Sequence, residues 1–417
     1  MPVAIIGDKN VRTQSPGIAL GVAAVLICHF SLSADGQTAT RPQAPLSEEA
    51  CREWALKIEK TVNAGNPSFL DASLDLEALA EAATRGINAP EPYVRGFRQG
   101  VKQSRTARFG QAVCAAISQG GMYKLLRLRK ANGGMRALFR MTGGGVNYHD
   151  VSLAASPDGR IVIADIYVHM AGESLSGMFR RMAAMGAAEF EKAHASGRVQ
   201  EKGEETVQGF RKLAAFAALV QAGLGREALA KYQELPAFLK NEKATHVIRI
   251  AAAAKAGEKA YLEAMADFRK RFPNDPAADL IATDWLFMKR RFRQAREAID
   301  RVDRVVGPDP YLNYLRAVTY MEAGDLDTAR KLMIRTVQAE PGLLEGHMGL
   351  ATVSLKTGDF KQVRRSLTRI EDDLGADMEE QLRSPQLAEF LKSAEGRAYL
   401  KSRREKRRAA PSIRKAD

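Results

Sequence analysis

A shift of 34 residues lays one stretch of this chain onto the next. PYLNYLRAVTYMEAGDLDTARKLMIRTVQAEP begins at Pro310, and GLLEGHMGLATVSLKTGDFKQVRRSLTRIEDD follows it directly. Ala317 falls on Ala351, Gly324 on Gly358, Asp325 on Asp359, Leu326 on Phe360 and Met333 on Leu367. A period of that length belongs to a helix–turn–helix unit. Such a unit cannot bury its apolar face alone and must stack on neighbours. The feature constrains architecture strongly and chemistry hardly at all.

The same step taken backwards reaches Arg290, then the position beside Gly257, then Gly223. Ala228, Ala295 and Ala329 stand at matching places after Gly223, Arg290 and Gly324. Pro273, Pro308 and Pro341 punctuate helix ends, and Pro276 and Pro310 open the next helices. The pattern predicts about five helix pairs over 206–372, in a helical domain spanning 204–400. SPQLAEFLKSAEGRAYL, at 384–400, reads as a capping helix with Leu387, Phe390, Leu391, Ala394 and Ala398 on its apolar stripe. The basic run at 401–417 is expected to be a frayed, solvated tail.

These residues resemble the tetratricopeptide repeat family over the whole region, most fully at 310–372. One copy carries Ala317, Tyr320, Gly324, Ala329, Met333 and Pro341; the next carries Leu350, Ala351, Gly358, Phe360 and Leu367. Trp285 and Arg290 depart from the pattern. The resemblance implies an all-α solenoid whose first helices line a concave groove for a protein or peptide partner. Carried onto this chain, the lining is Phe287, Tyr311, Tyr314, Val318, Met321, Met348 and Leu355. Aromatic and methionine side chains on an open face suit an apolar peptide. Packing of the same residues against the protein itself is the alternative. Tyr314 and Val318 stand where the family's carboxylate clamp needs cations, which disfavours chaperone-tail binding.

The charge of +14 and pI near 9.7 admit nucleic acid, an anionic membrane surface or an acidic protein as partner. Basic residues are spread along the chain, and no RGG-type or aromatic-interleaved basic motif is present, so nucleic acid is the weaker reading. Peripheral membrane contact is open to the N-terminal segment and the basic tail. Of the cysteines, Cys28 lies in the N-terminal apolar run. Cys51 and Cys114 read as buried thiols rather than a disulfide framework.

IALGVAAVLICHFSL, at 18–32, follows Lys9 and Arg12 and precedes small residues. Charge, a short apolar core and small residues form the pattern of a secretory signal, with cleavage after Ala34. The run is short for a membrane span, and His29 interrupts it. Residues 1–34 are therefore read as a signal, an uncleaved anchor being the alternative, and the protein as exported to a periplasmic or other extracytoplasmic site. Residues 35–45 are a polar, proline-containing linker.

From 46 to 195 the pattern predicts helices followed by an antiparallel sheet. Ser47 with Glu48 and Glu49 marks a helix start. Trp54, Ile58 and Val62 follow at helical spacing. A second helix carries Leu74 to Ala83. A third, opened by Pro90, carries Val94, Phe97, Val101, Phe109, Val113 and Ile117. The period then changes to two in MYKLLRLRK, MRALFRM, VNYHDVSLAA and RIVIADIYVHM. Glycine pairs and Ser156–Gly159 separate these runs, predicting a four-stranded meander. A Met- and Phe-bearing helix at 173–195 closes the domain. This order of elements resembles the NTF2-like, cystatin-related α+β domain.

If Ser156 faces Gly159, Asp150 faces Asp165 and Tyr148 faces Tyr167, with His169 on the same side. Opposed carboxylates destabilise a sheet unless neutralised. They imply either a ligand, cation or hydrolytic site or neutralisation by Lys124, Arg127, Arg129, Arg136 or Arg140. GGGVNYHD lacks the Gly-Lys-Ser/Thr of a phosphate loop. In GESLSG, Ser174 and Ser176 read as helix-capping groups rather than nucleophiles. Together the sequence points to a non-enzymatic, exported scaffold with no catalytic residue, metal or cofactor, and with a ligand pocket at Tyr148, Asp150, Asp165, Tyr167 and His169 as the alternative.

Overall fold

The computed structural model describes residues 46–409, apart from 104–108, 119, 132–133, 144, 196–198 and 274. The signal and linker readings, and residues 410–417 of the tail, lie outside the described residues. The chain forms two compact units, divided in sequence between Ile281 and Ala282.

The first unit opens with α1 (Glu48–Asn63), α2 (Ser68–Ala72), α3 (Leu76–Thr84), α4 (Glu91–Gln103) and α5 (Phe109–Ile117). The Ser47 hydroxyl accepts from the Ala50 amide, so α1 begins where a capping oxygen can satisfy a free N–H. Of the stretch read as one helix from Pro90 to Ile117, the described parts are helical, α4 and α5. The stretch read from Leu74 to Ala83 becomes α3, with the short α2 before it.

The strands follow: β1 (Tyr123–Ala131), β2 (Gly134–Met141), β3 (Asn147–Ala155), β4 (Ile161–Val168) and the two-residue β5 (Glu173–Ser174). They form one antiparallel sheet in the order β1-β2-β3-β4-β5. Short β5 is the one strand beyond the expected meander. One sheet face carries Tyr123, Phe139, Met141, Val151, Leu153, Ile163 and Ile166. These close a core with Trp54, Ile58 and Val62 of α1 and Phe109 and Val113 of α5. Cys51 is buried in this core and Cys114 packs against it; both thiols are free.

Helices complete the first unit: α6 (Leu175–Ala195), α7 (Val199–Gln221), α8 (Gly225–Gln233), α9 (Ala237–Lys240), α10 (Lys243–Ala256) and α11 (Glu258–Arg271). Phe179 and Ala183 of α6 pack with Ala80 and Ala83 of α3 and Phe97 of α4. Phe216 and Val220 of α7 pack with Ala228 and Tyr232 of α8 and Ile248 of α10. The helix α12 (Pro276–Met288) contains the division between the units.

The second unit continues with α13 (Phe292–Val306), α14 (Pro310–Glu322), α15 (Leu326–Ala339), α16 (Leu344–Lys356) and α17 (Phe360–Asp372). After two short 3-10 turns come α18 (Ala388–Lys392) and α19 (Ala394–Ala409). The repeat explains two of the helix starts. Asp325 accepts from the Thr328 amide at 3.0 Å, and its counterpart Asp359 accepts from the Gln362 amide at 3.0 Å. Gly324 and Gly358, just ahead of these caps, both have positive φ. Leu387 and Phe390 are buried with Val363, Leu367 and Ile370, as a capping segment requires. Residues 401–409 are helical rather than frayed. Arg403 donates to Glu371 at 2.7 Å and to Glu379 at 3.0 Å, and Lys406 donates to Asp372. Among the described residues, no helix is long and apolar enough to cross a membrane.

Candidate functional site

The β3–β4 register decides what the polar sheet face can do. The Ser156 amide donates to the Arg160 carbonyl at 2.8 Å, and Gly159 takes a φ of +83° inside that loop. The turn is therefore longer than a tight two-residue hairpin, and Ala155 pairs with Ile161. A bulge then slips the register again: Leu153 pairs with Ile163, but Ser152 pairs with Asp165 and Asp150 with Tyr167. At that bulge the α2–α3 link bonds the outer edge of β4, through Ile163 N–H to Ser73 O at 2.7 Å and Asp75 N–H to Ile163 O at 2.9 Å. Asp150 and Asp165 are thus not opposed, nor are Tyr148 and Tyr167. Ile163 and Ile166, three residues apart, both point inward, because the bulge between them breaks the alternation of β4.

Asp150 is buried and neutralised. Arg129 of β1 donates to one carboxylate oxygen, and Arg136 of β2 to the other at 3.0 Å. Asp165 serves a different purpose. It accepts from its neighbour Ile166 N–H at 2.8 Å, from Ser176 N–H at 3.1 Å and from the Ser176 hydroxyl. It therefore ties Ser176, in the first turn of α6, to β4. The fold brings Tyr148, Asp150, Tyr167 and His169 together, while Asp165 stands opposite Ser152 and not opposite Asp150.

His169 stands edge-on to Tyr167 at 4.9 Å and to Tyr148 at 6.1 Å. Burial lowers its pKa to about 4; the Asp150 carboxylate pulls it up, and Arg136 and Arg129 push it down. On the core side lies a second histidine. His149 is fully buried beside Phe109 and Tyr123. The Asn147 side-chain oxygen accepts the Tyr148 and Met170 amides, so its NH₂ group points at His149 Nε2, 3.2 Å away. That makes Nε2 the acceptor and puts the ring proton on Nδ1, which donates to the Tyr123 hydroxyl at 3.1 Å. Burial first, and then His169, lower His149 to about 3. Both imidazoles are neutral at ordinary pH. Among the described residues, no group of three or more His, Cys, Asp or Glu is placed to hold a metal ion.

The groove stripe is largely internal. Tyr311 is 3% exposed, Tyr314 1%, Val318 5% and Met321 5%. The reason is visible at Gly349 of α16, where a Cβ would meet the Met333 methyl at 2.4 Å and the Tyr314 ring at 3.5 Å. The glycine admits the bulk of the neighbouring hairpin, so Tyr314 fills a gap between hairpins instead of lining an open surface. Its hydroxyl has no hydrogen-bond partner among the described residues. Phe287, Met348 and Leu355 are half-buried, the last two packed against the capping segment's cluster. A cleft of about 170 Å³ beside α17 and α19 is lined by Thr368, Glu371, Asp372, Tyr399, Ser402, Arg403 and Lys406. Its carboxylates already hold Tyr399, Arg403 and Lys406.

Sequence reasoning missed a polar junction just past the end of β4. Lys243 donates to Asp275 at 2.6 Å and to the Gly172 carbonyl at 3.2 Å, and Arg181 donates to Glu242 at 2.9 Å and to Glu173. Partners so distant in sequence leave no local signal. Comparisons of the chain with protein-family models, with curated proteins and with solved structures each gave no match.

Proposed function

We propose that this chain is a non-enzymatic, exported docking protein. In this reading a small domain similar to the NTF2-like fold carries a tetratricopeptide-like solenoid that holds a partner polypeptide. The observation that carries the reading is the contact between successive hairpins in α14–α17. Small residues sit at the matching fully buried places, Ala317 and Ala351 on first helices and Ala329 on a second, and Gly349 receives Tyr314 and Met333. Close approach at small positions is what a stack of like-built hairpins requires, and such stacks present extended surfaces rather than reaction centres.

The binding face in this reading is narrower than the sequence implied. Tyr311, Tyr314, Val318 and Met321 are spent on packing. The first-helix residues left for a partner are Phe287, Met348 and Leu355, with Tyr320, whose ring lies 4.2 Å beneath Arg296. Capture of a partner by the full chain, followed by chemical crosslinking, tests the reading. Crosslinks on α12, α14 and α16 that disappear with Phe287→Glu support it. Crosslinks confined to the sheet region would sink it.

A further inference from the structure

β1 is an outer strand of the sheet, hydrogen-bonded on one side to β2. Side chains of α1 close the outer edge of its first half. Asn63 donates to the Tyr123 carbonyl and accepts from the Tyr123 amide, both at 2.8 Å, and Glu59 accepts from the Leu125 amide at 2.7 Å. They stand in for a neighbouring strand, meeting the demand of outward backbone groups for partners. Past the bulge between Leu125 and Arg127 this cover stops. Among the described residues, no comparable bond reaches the outward-facing backbone of Leu128 or Lys130.

The uncovered half is positively charged. Arg129 pairs directly with Arg136, a like-charge opposition that costs stability unless countered. The two guanidiniums share one carboxylate, Asp150. The Arg129 side chain keeps 55% of its surface in solvent, and Lys130 beside it is exposed. The edge thus combines open backbone groups, unbalanced positive charge and, among the described residues, an arginine whose acid partner, Asp150, lies inward on β3.

We propose that an extended acidic segment of a partner polypeptide adds to β1 along Leu128–Lys130 as a further strand, with a carboxylate opposite Arg129. Backbone bonds to the edge supply the hold, and the acid supplies the opposite-charge pair that Arg136 denies. The same cations and bulge would also serve to keep strands off an edge. The two roles part at one point: a purely protective edge refuses every strand, whereas this edge accepts acidic strands and refuses basic ones. The inference stands on the sheet alone and does not depend on the helical groove.

The test uses the full chain and two labelled short peptides, one alternating Glu and Val, the other Lys and Val. Fluorescence anisotropy is read at low and high salt, and amide hydrogen exchange is followed on β1. The Glu peptide is expected to bind, to weaken with salt and to protect the outward amides of Leu128 and Lys130, while the Lys peptide stays free. Lys130→Glu leaves the Arg129–Asp150 pair intact and weakens the Glu peptide roughly fivefold; adding Arg129→Glu abolishes its binding. Equal affinity for the two peptides, indifference to Lys130→Glu, binding without protection of β1, or no binding by the unaltered chain would each overturn the proposal.

Discussion

The Lys243 ammonium lies 2.6 Å from the Asp275 carboxylate, and each side chain is 13% exposed. The pair joins the start of α10 to the start of α12, and Lys243 also reaches the Gly172 carbonyl just past β4. Helical hairpins and sheet are thereby tied by a nearly dry ion pair. Removing one partner strands the other charge: Lys243→Met or Asp275→Asn is expected to cost roughly 3 kcal/mol. Lys243→Met with Asp275→Leu should regain most of that loss. Urea unfolding of the three variants measures it; additive losses in the double variant would show that the pair is not coupled.

Gly172 turns the chain beneath this pair with a φ of +66°. A Cβ there would sit 2.5 Å from an Asp275 oxygen and 2.7 Å from Lys243 Nζ, whereas at Gly159, with φ +83°, it would meet open space. Gly159→Ala should therefore cost only the conformational penalty, about 1 kcal/mol. Gly172→Ala should cost clearly more. Equal shifts in the unfolding midpoint would contradict the crowding.

Tyr314 distinguishes a packed stripe from an open groove. Tyr314→Ala empties a filled site and is expected to cost about 3–5 kcal/mol. Tyr314→Phe removes only an unpartnered buried hydroxyl and should be neutral or slightly stabilising. Were Tyr314 a groove-lining residue, alanine would leave the melting temperature nearly unchanged.

His169 sets a pH dependence whose sign follows from burial. Its folded pKa, about 4, lies below the ordinary 6.5, so the unfolded chain binds the proton more readily. The stability tied to neutral His169 is complete above pH 6.5 and drains away as pH falls toward 4. The full loss is about 3 kcal/mol at 1.36 kcal/mol per unit. His169→Gln should flatten the fall of the urea midpoint across that window. An unchanged slope would mean that the imidazole is not buried in its neutral form.

Local features were readable in the chain itself. Ser47 caps the helix its position announces, because a capping bond closes within three residues. The long strands β1 to β4 lie where alternation placed them. The assembly of Tyr148, Asp150, Tyr167 and His169 on one face was also legible, since strand parity alone puts neighbours there. Asp165 was misplaced because one extra residue in the Ser156–Arg160 turn and one bulge at Ala164 are backbone events. Their energies come from Gly159 and from the Ser73–Asp75 link docking on β4, not from the alternation of apolar residues.

What the sequence by itself determined is the run of elements, their caps and the 34-residue beat of the later helices, all of which depend on residues a few places apart. What only the tertiary structure decided is which faces stay open. Tyr311 and Tyr314 look the same in a sequence whether they line a groove or fill a gap, and the room left by Gly349 makes them core. Asp150 is settled in the same way, since Arg129 and Arg136 reach it only once neighbouring strands are in register. Burial and charge pairing are properties of neighbours in space, and those neighbours are chosen by packing.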